Sequence, residues 1–206
     1  MSTMTTTTDL TWESATTLAE LGELTARWLE GELPETPSYG GSPDEETAPL
    51  IERLAAANRA GYVTSSSQPG HGPQPGYGDV DWAQRAAVNG IADRETAQRL
   101  VWQATLAGLW VLAAGPRNED GLSYPATTRD GKDYTVFGYR PWTDLVWDYD
   151  AEDTELETAI GTAYQVTIID PEFRDSDLLW HTLASALDLD LVPADAREQA
   201  LQPRQS

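Results

Sequence analysis

The chain has 206 residues, enough to bury a core, and its 40% hydrophobic content with eight Trp and eight Tyr marks a folded globule. It has no cysteine, which excludes disulfides, thiolate metal sites and Cys nucleophiles, and its two histidines cannot by themselves build a His-rich metal site. Asp and Glu number 34 against 13 Lys and Arg, for a net charge of −21, and such a surface repels nucleic acid and anionic membranes.

No apolar run reaches the ~18 residues of a membrane span, and the first residues, MSTMTTTTDL, lack the basic and apolar regions of a secretory signal. The expectation is a cytoplasmic protein with no membrane partner and no direct nucleic-acid partner. Carboxylates can also mimic the phosphates of DNA and block a basic protein. Here they are scattered, with local clusters at Asp44-Glu45-Glu46 and at Asp148, Asp150, Glu152 and Asp153. A solvated surface is therefore the first reading, and an acidic interaction protein or nucleic-acid mimic is the alternative.

Residues 1–11 are Thr-rich and read as a tail. A helix is predicted over 13–30, where Leu18, Leu21, Leu24 and Trp28 share one face. A turn-rich connector follows, with Pro34, Pro37, Gly40, Gly41 and Pro43. A second helix is predicted from Glu46 to Ala60, ended by Gly61, and Tyr62–Ser65 reads as a strand. The loop 70–78 is rich in glycine, but Pro73 and Pro75 remove donors that an anion would need. Helices are predicted near 81–91 and over 93–106, the second capped by Asp93.

Leu109–Ala114 reads as a buried strand and 118–132 as a polar, hairpin-like loop. Tyr134–Tyr139 and Leu145–Trp147 are predicted as strands, and 153–161 as a short helix. Ala163–Asp170 alternates as a strand, and Asp177–Leu187 is an amphipathic helix. Residues 191–206 read as a polar tail. The elements predict a single α/β (α+β) domain over 12–190, a mixed β-sheet flanked by helices.

The hydroxyl-rich stretch GYVTSSSQPG, from Gly61 to Gly70, raises a geometric question. Thr64 and Ser67 are three apart, so on a continuous strand they face opposite ways. They can reach one ligand only if the strand breaks at Ser65-Ser66. The helix from Glu46 climbs ~21 Å and the strand to Ser67 returns ~20 Å, which brings Glu46, Thr47, Thr64 and Ser67 to one end. Glu46-Thr47 also has the chemistry of a helix N-terminus, so a capping role stays open. The acids at 148–153 lack the glycine and spacing of a calcium loop.

Several fragments carry a resemblance. They are Glu46-Thr47; Asn58-Arg59-Ala60-Gly61-Tyr62-Val63-Thr64; Ser67-Gln68-Pro69; Gln84-Arg85-Ala86; Arg94-Glu95-Thr96-Ala97; and Ile169-Asp170-Pro171-Glu172-Phe173 with Asp175 and Leu179-Trp180. In this order they resemble the C-terminal regulatory domain of eukaryotic methylenetetrahydrofolate reductase. The chain also resembles a family of small actinobacterial and phage proteins that share its first predicted helix. The reductase resemblance implies a non-catalytic domain that binds S-adenosylmethionine or S-adenosylhomocysteine and requires no cofactor. It assigns ligand contacts to Glu46, Thr47, Thr64 and Ser67, with Gln68 and Thr135 in second rank. At the later strand, Val136 falls where the family has a ligand-binding threonine, and Thr135 lies one position away.

Overall fold

The structure, a computed structural model, describes residues 10–76 and 80–189. The tail expected at 191–206 and most of that at 1–11 lie outside the described residues.

Thr17 decides where the first helix begins. Its hydroxyl accepts from the Glu20 N–H, while the Glu20 carboxylate accepts from the Thr17 N–H. This reciprocal capping box opens α1 (Leu18–Leu29). The predicted start at residue 13 is a separate 3-10 turn, Trp12–Ser14. The second predicted helix also divides, into a 3-10 segment at Glu45–Leu50 and α2 (Ile51–Arg59). Pro49 lies at the junction, and proline disfavours the α conformation in the residue before it. Gly61, at φ +90°, reverses the chain into β1 (Tyr62–Gln68).

The Gly/Pro stretch forms an edge strand, β2 (His71–Pro75), where a loop was expected. The helix expected at 81–91 is instead two strands, β3 (Asp81–Gln84) and β4 (Ala87–Ala92). All of β4 is buried, so the sheet uses both of its faces and overrides the helix preference of its alanines. Gly90 is required there, because a Cβ would meet the Val63 carbonyl oxygen at 2.4 Å. The expected Asp93 cap is present, its carboxylate accepting from the Thr96 N–H at the start of α3 (Arg94–Leu106).

β5 (Trp110–Ala114) is a partly exposed edge strand and not the buried strand expected. β6 (Ser123–Arg129) and β7 (Lys132–Gly138) form a hairpin across Asp130-Gly131. Both turn residues have positive φ, which a type I′ turn requires. The strand expected at Leu145–Trp147 lies in α4 (Trp142–Asp148), which Pro141 precedes. The chain closes with α5 (Glu155–Thr162), β8 (Tyr164–Ile169) and α6 (Leu178–Ala186).

The strands make two four-stranded sheets, ordered β1-β4-β8-β5 and β2-β3-β6-β7. The fold is α+β as expected, but every strand pairing is antiparallel, which corrects the expected mixed sheet. The cause lies in β8. β4 and β5 run parallel to each other across the α3 crossover, yet β8 inserts between them and pairs antiparallel with both.

One face of the first sheet packs under α2, α3 and α6, with Leu54, Leu100, Leu179 and Leu183 against Tyr62, Val88, Val166 and Ile168. Part of the opposite face packs on α1, α4 and α5 through Val63 and Ile91. The rest meets the second sheet through Ala87, Ile169, Ala126 and Phe137. No helix among the described residues is long and apolar enough to cross a membrane.

Two substitutions test this packing. Leu100→Ala, at a fully buried position, is expected to cost ~2–5 kcal/mol in urea unfolding. Gly90→Ala is expected to cost ~1–3 kcal/mol, because its Cβ meets backbone that cannot rotate away. A neutral Gly90→Ala would show that β1 and β4 are not held this closely.

Candidate functional site

β1 is an edge strand, and its ladder to β4 carries one extra residue. Thr64 pairs with Gly90, Ser66 with Asn89 and Ser67 with Val88, which leaves Ser65 as the bulged residue. Gly90 and Val88 are two apart and share a face, so their partners Thr64 and Ser67 share a face too. The strand therefore breaks where the three-residue spacing of the two hydroxyls requires it. Thr64, Ser65, Ser66 and Ser67 all line one cavity of about 380 Å³. The bulge breaks the alternation of the strand, so hydroxyls on both sides of it reach the one cavity.

Asn58 at the end of α2 fixes this geometry. Its Oδ1 accepts from the Thr64 N–H at 2.9 Å, and its Nδ2 donates to Thr64 Oγ1 and to the Leu54 carbonyl, both at 2.8 Å. Asn58 is fully buried, so these bonds hold β1 against α2 without competition from water. Because Thr64 Oγ1 accepts from Asn58, its own proton is free to be donated into the cavity.

The walls come from three further segments. α1 supplies Thr25, Trp28 and Leu29, the connector after it supplies Thr36, Ser38, Tyr39, Asp44 and Thr47, and the end of α4 supplies Asp148 and Tyr149. Trp28 Nε1 donates to the Gly41 carbonyl at 2.9 Å, and its ring meets Tyr39 edge-on with centroids 5.9 Å apart. Tyr39 donates to Asp44 at 2.8 Å, and that hydrogen bond raises the Tyr39 pKa. Burial raises that of Tyr149. Asp148 is paired with Arg140 behind the wall. Among the described residues two carboxylates therefore line the cavity, and no Lys, Arg or His does.

Of the residues singled out from sequence, the structure brings Thr47, Thr64 and Ser67 to this cavity. Glu46 lies outside it, exposed, with its carboxylate 3.4 Å from Gln84 Nε2. Gln68 and Thr135 are elsewhere. Gln68 pairs with Ala87, whose side faces the second sheet, and its Nε2 donates to the Arg85 and Ala126 carbonyls. Its Oε1 accepts from Thr127, which in turn accepts from Thr135 at 2.7 Å. These residues form a polar chain that ties the two sheets together.

Sequence reasoning missed Trp28, Tyr39, Asp44 and Asn58 as parts of the site. Trp28 looked like one more apolar residue of the α1 stripe. Asn58 stood inside a quoted motif, yet its role as a clamp depends on β1 folding back beside it. The acids at 148–153, weighed as cation ligands, make no such group. Among the described residues no cluster of three or more His, Asp or Glu is arranged to hold a metal.

Architecture and cavity together define an α+β domain with a ligand-sized recess at a bulged strand edge. The chain belongs to the family described as Domain of unknown function (DUF6919), whose model matches residues 7–190. No curated protein matches the sequence.

Asn58→Ala is expected to lower stability by ~1–3 kcal/mol, since it leaves the buried Thr64 N–H without its acceptor. It should also speed hydrogen exchange at Thr64 more than at Ile91 in β4. Equal exchange at the two positions would mean that Asn58 does not hold the bulge.

Proposed function

We propose that this chain is a non-catalytic binding module, a sensor or regulator, whose cavity at β1 takes an adenosyl-type nucleoside such as S-adenosylmethionine or S-adenosylhomocysteine. The observation that carries the reading is the chemistry of the lining. One recess combines a bulged strand, the Thr64, Ser67 and Thr47 hydroxyls, the Trp28–Tyr39 pair and two carboxylates.

Each feature suits one part of such a ligand. Adenine presents a donor beside acceptors, which hydroxyls such as those of Thr47 and Ser67 complement. A ribose diol donates to carboxylates such as Asp44 and Asp148. The ammonium of the amino-acid end, and a sulfonium where present, gain from carboxylates and from aromatic faces. A phosphate finds no cation here, so the lining disfavours nucleotides. Without an imidazole or amine beside the hydroxyls, the reading is binding and not group transfer. The resemblance to the reductase regulatory domain points to the same ligand class through Thr47, Thr64 and Ser67.

Calorimetry on the full chain tests this. S-Adenosylmethionine or S-adenosylhomocysteine should bind, and ATP should not. Ser67→Val should weaken binding by ~1–3 kcal/mol through one lost buried hydrogen bond. Thr64→Val is a poor probe, because it also strips the Asn58 amide of its acceptor. Thr64→Ser keeps that acceptor and should preserve both fold and affinity. Absence of binding by every adenosyl compound, or equal binding of ATP, would remove the reading.

A further inference from the structure

The opposite edge of the same sheet carries a second recess with different chemistry. β5 pairs only with β8, and its outer side has no neighbouring strand among the described residues. Open edges invite further strands, and natural proteins blunt them with bulges, prolines or charges. The other three sheet edges among the described residues are blunted. β1 has its bulge, β2 has Pro73 and Pro75, and β7 has Lys132 and Asp133. β5, with sequence WVLAA, has no charge, no proline and an unbroken register.

Beside this edge lies a cleft of about 370 Å³. Leu112 and Ala114 line it together with their cross-strand partners Thr167 and Gln165, so it lies over one face of the β5–β8 pair and reaches the edge strand. Thr167 from β8 forms part of the lining, and Leu122, 68% exposed, stands at the rim. Asp120 supplies a carboxylate, Glu119 precedes it, and among the described residues no Lys or Arg lines the cleft. Arg117, nearby in the chain, lies over the Trp142 ring.

We propose that the β5 edge docks an extended basic segment of a partner protein by strand addition. Main-chain hydrogen bonds to β5 would give the affinity, and alternate apolar side chains would enter the cleft beside Leu112 and Leu122. Charge selects the occupant. A second copy of this chain brings another −21 to the interface, whereas a Lys- or Arg-bearing segment is attracted by Asp120 and by the whole molecule. This surface is independent of the nucleoside reading, since the two recesses lie on opposite edges of one sheet.

The test uses the full chain and the acetylated heptapeptide Lys-Leu-Lys-Val-Lys-Val-Lys, with a control carrying proline for the central valine. The two peptides have equal charge, but the proline breaks the ladder. The parent peptide should protect β5 amides from hydrogen exchange, and the control should bind at least tenfold more weakly at about physiological salt. Ala113→Lys, at an exposed edge position, should weaken the parent peptide by a similar factor. Equal affinity for the two peptides would reduce the interaction to bulk charge and overturn the proposal. Protection confined to other strands would overturn it, as would light scattering that shows a stable dimer with β5 already covered.

Discussion

The site rests on one buried amide. Asn58 bonds the Thr64 backbone, the Thr64 hydroxyl and the Leu54 carbonyl together, and so ties the end of a helix to the start of a strand. Opposite this clamp, the Val63 carbonyl oxygen stands where a Cβ on Gly90 would have to go, and a side chain there would force the strands apart. Between these two constraints β1 can absorb an extra residue without sliding along β4. A bulge in a loosely held strand is a slip of register that moves every later side chain to the other face. Held on one side by Asn58 and on the other by the close approach at Gly90, the bulge becomes a fixed turn of the strand. The hydroxyls of Thr64 and Ser67 then stand together.

The same one-residue shift explains what lies beyond the cavity. After Ser67 the alternation resumes, and Gln68 falls on the face that meets the second sheet. There it joins Thr127 and Thr135, a buried chain with hydrogen-bond partners along its length. β1 thus has a stretch from Thr64 to Ser67 around the bulge that lines a recess, and a next residue, Gln68, that holds two sheets together. A single strand supports both because Gln68 falls on the opposite face from Thr64 and Ser67.

Much of the fold was legible because the signals were local. The Asp93 cap, Gly61 and the alternation of Tyr164–Ile169 each act within a few residues, and the structure has them as read. The failures come from tertiary context. β4 is rich in alanine, and nothing nearby in sequence announces that both its faces are buried. The short apolar run at Leu145–Trp147 fits a strand or a helix equally, and Pro141 was the only local arbiter. The stretch 118–132 reads as a hairpin-like loop, and its Asp130-Gly131 turn is there, but that reading misses the strand β6 before the turn. At the cavity, Thr47, Thr64 and Ser67 were accessible from motif and spacing, whereas Gln68 and Thr135 were not. Gln68 turns to the second sheet once the alternation resumes after the bulge, and Thr135 lies in that second sheet, which no local signal announces.

The electrostatics of the two sheet edges follow from one composition. With 34 acidic residues against 13 basic ones, carboxylates reach most of the surface, and recesses without a cation become selective by default. Of the basic residues, Arg27, Arg53, Arg59, Arg99, Arg140 and Arg174 are held in ion pairs. Arg85 lies against the Phe173 ring and donates to the Pro171 and Pro125 carbonyls. Such arginines brace the fold and leave neither recess lined by a positive charge. An anionic ligand would enter either one against both the local carboxylates and the field of the whole chain. Neutral or cationic partners pay no such penalty, and the shape of each edge then separates them. The bulged, hydroxyl-lined edge suits a compact polar molecule, whereas the flat apolar edge suits another strand.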